Sequence, residues 1–114
     1  MDSNCIFCKI IKGEIKGDIV YKDDLIIGIK DINPQAPLHL LILPKKHIAQ
    51  ISDLSHQDKT LISDLVQIAK DLAKARNVED GYRLVINNGA RAGQSVFHIH
   101  LHLLAGRSMA WPPG

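Results

Sequence analysis

The run His98-Ile99-His100-Leu101-His102-Leu103-Leu104 sets three histidines in strict alternation with apolar residues. In extended backbone, residues i, i+2 and i+4 share a face. The pattern therefore predicts a strand whose three imidazoles project together while Ile99, Leu101 and Leu103 point into a core. Packing gains nothing from three titratable rings side by side, so the row points to chemistry. Same-face neighbours on a strand sit ~6.6 Å apart and the outer pair ~13 Å, whereas ligands on one zinc lie ~2 Å from it. The three rings are thus too spread for one ion. His100, flanked on both sides, is placed as a nucleophile that its neighbours tune. Neutral imidazole, with an ordinary pKa near ~6.5, offers a nitrogen lone pair at neutral pH. Attack on phosphorus would form a phosphoimidazole and split one substitution into two easier ones.

A phosphate brings negative charge, and the loop before the row can meet it. Gly89 and Gly93 permit turns in which successive backbone N–H groups point at an anion. Asn87, Gln94 and Ser95 add neutral donors. A second constellation lies at the other end of the chain, where Cys5-Ile6-Phe7-Cys8 has the spacing of a metal clip. Two ligands alone do not close a tetrahedral site, so zinc, a pair of buried thiols and a redox couple all stay open for it.

The elements that must position these groups are legible from periodicity. Cys5 to Gly13 reads as a short helix, with Ile6, Phe7, Ile10 and Ile11 at helical spacing and Gly13 as a stop. Ile19–Tyr21 and Leu25–Ile29 are strand-like runs around Lys22-Asp23-Asp24, hence a hairpin. Pro34 and Pro37 mark a loop, and Leu38 to Leu43 forms a strand closed by Pro44. From Ser55 to about Arg76, Leu61, Leu65, Ile68, Ala69 and Leu72 fall on one helix face, with Ser55 and Asp58 as a capping signal. Asp80-Gly81 turns the chain into a strand over Tyr82–Asn87. Lys45 and Lys46 read as a solvated turn. An antiparallel sheet with a long helix and a short N-terminal helix follows, an α+β domain spanning residues 1–114.

Composition bounds the partners. The net charge of +2 is too small to argue for nucleic acid, and aromatics at 4% argue against base-stacking platforms. The sequence given opens on no basic-then-apolar leader, and no apolar run approaches the ~20 residues of a membrane span. The expectation is a cytoplasmic protein with neither membrane nor nucleic acid as partner.

Gly93-Gln94-Ser95-Val96-Phe97-His98-Ile99-His100-Leu101-His102-Leu103-Leu104 resembles the signature of the histidine triad family. Asp31 to His39, Ile42 to Ile48 and Tyr82 to Asn87 fit the same family, and the ending Trp111-Pro112-Pro113-Gly114 resembles its nucleotide-binding branch in particular. The resemblance covers essentially the whole chain. It implies a purine nucleoside phosphoramidase, a hydrolase that releases an amine from AMP or GMP amides and needs no cofactor for catalysis. On the matching positions His100 would attack the α-phosphorus, with its other ring nitrogen donating to a backbone carbonyl. His102 and His39 would line the phosphate pocket and handle charge and protons. Ser95 and Gln94 would bond the leaving group or phosphate, supported by Asn87. Asp31 would accept from the ribose hydroxyls, and Phe7, Ile10, Ile29 and Ile32 would enclose the purine. The branch further implies a homodimer in which Trp111 reaches the partner's site and shapes leaving-group preference.

Zinc-containing relatives in the wider superfamily add a histidine from the Pro-Lys-Lys-His position and the first triad histidine. Here the resulting structural zinc set would be Cys5, Cys8, His47 and His98. Closely similar nucleotide-binding members lack the second cysteine and bind no metal. Dinucleoside polyphosphate hydrolysis or nucleotidyl transfer, and a purine-nucleotide-binding interaction module, are the competing functions.

Overall fold

The computed structural model describes residues 4–114; positions 1–3 of the expected domain lie outside them. Five strands, β1 (Ile19–Lys22), β2 (Ile26–Lys30), β3 (Leu38–Pro44), β4 (Tyr82–Val85) and β5 (Leu101–Ala105), accompany helices α1 (Ile6–Ile11) and α2 (Lys59–Ala75). The strands form one sheet in the order β1-β2-β3-β5-β4, antiparallel at every pairing. The α+β architecture expected from periodicity is the one found. Asp23 makes the β1–β2 turn, its Oδ1 accepting from the Leu25 and Ile26 amides at 2.8 Å each.

Both faces of the sheet are covered, which explains why β2 and β3 read as nearly continuous apolar runs. On one face Ile26, Leu40, Ile42, Leu101 and Leu103 pack against Leu65, Ala69 and Ala73 of α2. Ala69 and Ala73 lie one turn apart on the same stripe and let the helix axis approach the strands. On the other face Ile27, Ile29, Leu41 and Leu43 cluster with Cys5, Phe7 and Cys8 from α1 and its N-cap. The functional groups all belong to this second face.

Beyond shifts of one or two residues at other element ends, three boundaries differ from the periodic reading. Residues His56–Asp58 form a 3₁₀ turn, and α2 starts at Lys59 rather than Ser55. The capping signal is real but acts on that turn: the Ser55 amide and hydroxyl each donate to Asp58 Oδ2 at 3.0 Å. Lys46 is not a free turn residue, since its Nζ donates to Asp58 Oδ1 at 2.7 Å. That ammonium and the Ser55 amide hold the Asp58 carboxyl down at about 2.

The second difference concerns the histidine row. Regular pairing begins at Leu101, so His98 and His100 precede β5 and only His102 lies in it. The Ile99 amide donates to the Ile48 carbonyl at 2.7 Å, and the His98 carbonyl accepts from the His100 ring, so neither group serves a ladder. Alternation survives all the same: Ile99, Leu101 and Leu103 are buried. Third, β4 stops at Val85, paired with His102, so Ile86 and Asn87 of the expected strand lie beyond it. Among the described residues no helix is long and apolar enough to cross a membrane.

Candidate active site

His100 is buried and hemmed by α1, the Phe7 ring meeting it edge-on with centroids 5.1 Å apart. Its Nδ1 lies 2.8 Å from the His98 carbonyl oxygen. A carbonyl can only accept, so Nδ1 carries the proton and Nε2 keeps the lone pair. Burial pushes the His100 pKa below the usual imidazole value, which keeps the ring neutral. The backbone thus fixes which nitrogen of this ring keeps its lone pair.

His102 sits beside it, ring centroids 5.0 Å apart, and on its far side Nδ1 is 2.8 Å from His39 Nε2. The Gln35 amide donates to His39 Nδ1 at 3.0 Å. An amide can only donate, so neutral His39 bears its proton on Nε2 and passes it towards His102 Nδ1. The His102 proton is then on Nε2. Burial, with His100 and His39 adding to it, pushes His102 down to about 4, and burial lowers His39 as well. Asp31 Oδ2 stands 3.4 Å from His39 Nε2, while Asp31 Oδ1 accepts from the Asn33 amide at 2.8 Å.

A cavity of about 270 Å³ opens between these rings and α1. It is lined by Phe7, Ile10, Ile29, Asp31, Ile32, Ser95, His100 and His102, all expected there, and also by Ile6, Lys30, Leu41 and Val96, which were not. Leu41 could have been found by register, since it pairs directly with His102. Ile32 is 97% exposed and forms a rim rather than an enclosing wall. His39 does not line the cavity; it stands behind His102. A larger depression of about 400 Å³ over Tyr21, Leu25 and Asp64 contains none of the histidines.

The loop departs from expectation. Gln94 is 4% exposed and its side chain is fully engaged, Oε1 accepting from the Gly89 amide at 2.8 Å and Nε2 donating to Ala49 and Val96 carbonyls at 2.7 and 3.1 Å. It pins the loop instead of reaching a ligand. The Gly89, Ala92, Gly93 and Gln94 amides all bond within the loop, so these four do not point at an anion. Gly89 and Gly93, at φ +88° and +99°, are needed to close it. Asn87 stands beside Gly93, its Nδ2 3.9 Å from where a Cβ would lie there, outside the cavity. Of the expected polar groups, Ser95, Asp31, His100 and His102 do line the cavity. Trp111 is 83% exposed on the C-terminal tail and lines no part of this cavity.

His98 turns away into a second cluster. Its Nε2 donates to the Pro44 carbonyl at 2.7 Å, leaving the Nδ1 lone pair 3.5 Å from both Cys5 and Cys8 sulfurs and 3.1 Å from His47 Nδ1. Cys8 Sγ is 3.3 Å from His47 Nδ1, and neither cysteine is in a disulfide. Four ligands around a tetrahedral zinc stand roughly 3.6 Å apart for sulfur–nitrogen and 3.3 Å for nitrogen–nitrogen pairs. The residues present fit that ion. Asp31, His39 and His102 also bring ligand atoms within 4.8 Å of one another, but the 2.8 Å His39–His102 contact is a hydrogen bond, shorter than two ligands on one ion adopt.

A five-stranded antiparallel sheet with a prepared imidazole beside a hydrogen-bonded histidine pair defines a histidine triad protein. Residues 4–111 match the family described as "Scavenger mRNA decapping enzyme C-term binding". The chain is 51% identical to a HIT-like protein of Synechocystis sp. over the full length of both, and 48% identical to the "14 kDa zinc-binding protein" of Zea mays, covering 99% of this chain and 90% of that one. A solved HIT family hydrolase from Legionella pneumophila superposes with a TM-score of 0.95 at 54% identity, covering 97% of this chain and all of that one. A second, from Clostridium thermocellum, gives 0.93 at 46% identity with 96% of each covered. The chain belongs to the histidine triad (HIT) family.

Proposed function

We propose that this protein is a hydrolase of purine nucleoside 5′-phosphoramidates acting through a nucleotidyl-histidine intermediate. The observation that carries the reading is the His100 ring, fixed by the His98 carbonyl so that Nε2 presents a lone pair beside a largely apolar cavity. The likeness to the HIT family hydrolases of Legionella and Clostridium supports the reaction class. The purine would lie among Phe7, Ile10, Ile29 and Leu41, with Asp31 accepting from ribose. His100 Nε2 bonds to the α-phosphorus as the P–N bond breaks, and the amine takes up a proton as it leaves. His102 Nε2–H donates to a phosphoryl oxygen and Ser95 to the leaving group. Water then displaces the imidazole, the nucleoside monophosphate departs, and the proton taken up in the first step is released. Zinc, held by Cys5, Cys8, His47 and His98, would supply a closed structural tie with no open position for substrate. The active unit is a homodimer.

Turnover of adenosine 5′-phosphoramidate tests this. His100→Asn lowers kcat by several powers of ten with nucleotide affinity nearly unchanged, because a lost nucleophile acts on the transition state. A variant retaining near-wild-type rate would remove His100 from the mechanism. The decapping description of the matched family favours a second reading, cleavage of dinucleoside polyphosphates. Parallel assays separate the two: faster turnover of a diadenosine polyphosphate than of the phosphoramidate selects the second. Binding of AMP with no turnover of either would make the protein a nucleotide-binding module.

A further inference from the structure

The His39–His102 pair has two ways to place its protons. With the proton on His39 Nε2, His102 presents an N–H to the cavity; with it on His39 Nδ1, the shared proton sits on His102 Nδ1 and His102 presents a lone pair. The first arrangement donates to a phosphoryl oxygen and the second repels it. What selects the first is the Gln35 amide on His39 Nδ1, aided by Asp31 Oδ2 near Nε2.

That amide lies in the loop Asn33-Pro34-Gln35-Ala36-Pro37. Inside the loop, Gln35 Nε2 donates to the Asn33 carbonyl at 3.0 Å. From outside, Arg107 Nε donates to the Gln35 carbonyl at 3.0 Å, and its Nη1 donates to the Ser108 carbonyl at 3.1 Å. The turn bearing Arg107 is itself pressed on the loop: a Cβ at Gly106 would lie 2.8 Å from Pro37 Cβ, and Gly106 has φ +96°. Further along, Arg83 Nη2 donates to the Ala110 carbonyl at 2.8 Å. The tail after β5 is therefore fastened on both sides of Ser108, and one fastening bears on the loop that orients His39.

We propose that Arg107 is a positioning residue for the reaction: by holding the Gln35 carbonyl it keeps the Gln35 amide on His39 Nδ1, and so keeps the His102 proton on the nitrogen that meets the phosphoryl group. Its guanidinium spans two carbonyls in one plane; a lysine at this place can serve one. The link from tautomer to rate rests on the phosphoramidase reading, but the tautomers themselves do not.

The experiment compares the full-length wild type with Arg107→Ala and Arg107→Lys. Nitrogen-15 NMR of the imidazoles in the free protein reports which nitrogen bears each proton. Wild type gives single Nε2–H tautomers at His39 and His102. Arg107→Ala gives a mixture at both rings, and kcat falls about tenfold with KM within about twofold, a partial loss of a donor whose complete removal costs ~10²–10³. Arg107→Lys shows a smaller shift the same way and restores part of kcat. Wild-type tautomers in whichever variant folds overturn the proposal, including the case where stability falls and the tautomers stay. If wild type turns over no phosphoramidate, the functional reading fails while the tautomer measurement still decides this inference.

Discussion

His102 must be neutral to accept from His39 through Nδ1, and its burial enforces that at the expense of acid stability. The ordinary histidine value near ~6.5 applies in the unfolded chain, against about 4 in the folded one. Between those limits the unfolded state binds more protons, so stability falls as pH is lowered through the window and this ring's contribution levels off below about 4. Thermal melts from pH 7 to 4 should show a declining Tm, with a shallower slope in His102→Asn. Parallel curves for the two proteins would show that this ring is not held neutral by the fold. Asp58, held at about 2 by Lys46, loses its stabilising ionisation only below that window. Single residues also show where sequence reading stops. His98, His100 and His102 were legible because imidazole is rare and their spacing is regular. Gln94 marks the limit, because an amide that pins a loop and an amide that grips a phosphate are the same letter. Gln35 acts through its backbone, which no side-chain pattern can signal.

At the scale of elements, α1 has six residues, too few to be stable alone in water. Phe7 buries against the sheet, yet the residues flanking the cavity rim on this helix are partly exposed. With zinc bound, the cysteine–histidine cluster would supply the missing tie, joining Cys5 at the helix N-cap and Cys8 within it to His47 after β3 and His98 before β5. Protein purified without chelator should carry about one zinc per chain, and Cys8→Ser should lose it. Each kcal/mol removed from a domain of this size lowers Tm by roughly 5 °C, and a drop at least that large is expected for Cys8→Ser or on chelation. Metal-free protein with the same Tm in chelator would leave two buried thiols as the account. The elements were largely legible in the sequence: period two and period 3.6 mark strands and helices wherever one face is buried. Their ends were not. The start of β5 moved to Leu101 because Ile48, distant in sequence, captures the Ile99 amide, and the start of α2 moved because Lys46 and Ser55 stabilise a tighter turn at Asp58.

At the scale of the molecule, the sheet has two edges, and they differ. β1 carries a register irregularity between Ile19 and Tyr21, a common device for discouraging further strand pairing. β4 pairs with β5 in regular register and is half-buried along its whole length, with its outer edge unpaired among the described residues. The tail, tied to β4 where Arg83 donates to the Ala110 carbonyl, presents Trp111, and α2 leaves Val66 41% exposed. An unprotected edge with apolar neighbours favours a second copy related by a twofold, the strands meeting antiparallel. We therefore expect sedimentation or light scattering to give twice the 12.6 kDa of one chain at micromolar concentration. A lysine at Val66 or a proline at Arg83 should shift that mass towards the monomer. If the tail crosses to the partner's cavity, Trp111→Ala changes kcat/KM several-fold for phosphoramidates of bulky amines while sparing the unsubstituted amide. A monomer at all concentrations, with Trp111→Ala equally active on both substrates, would place the tail and the β4 edge outside the function.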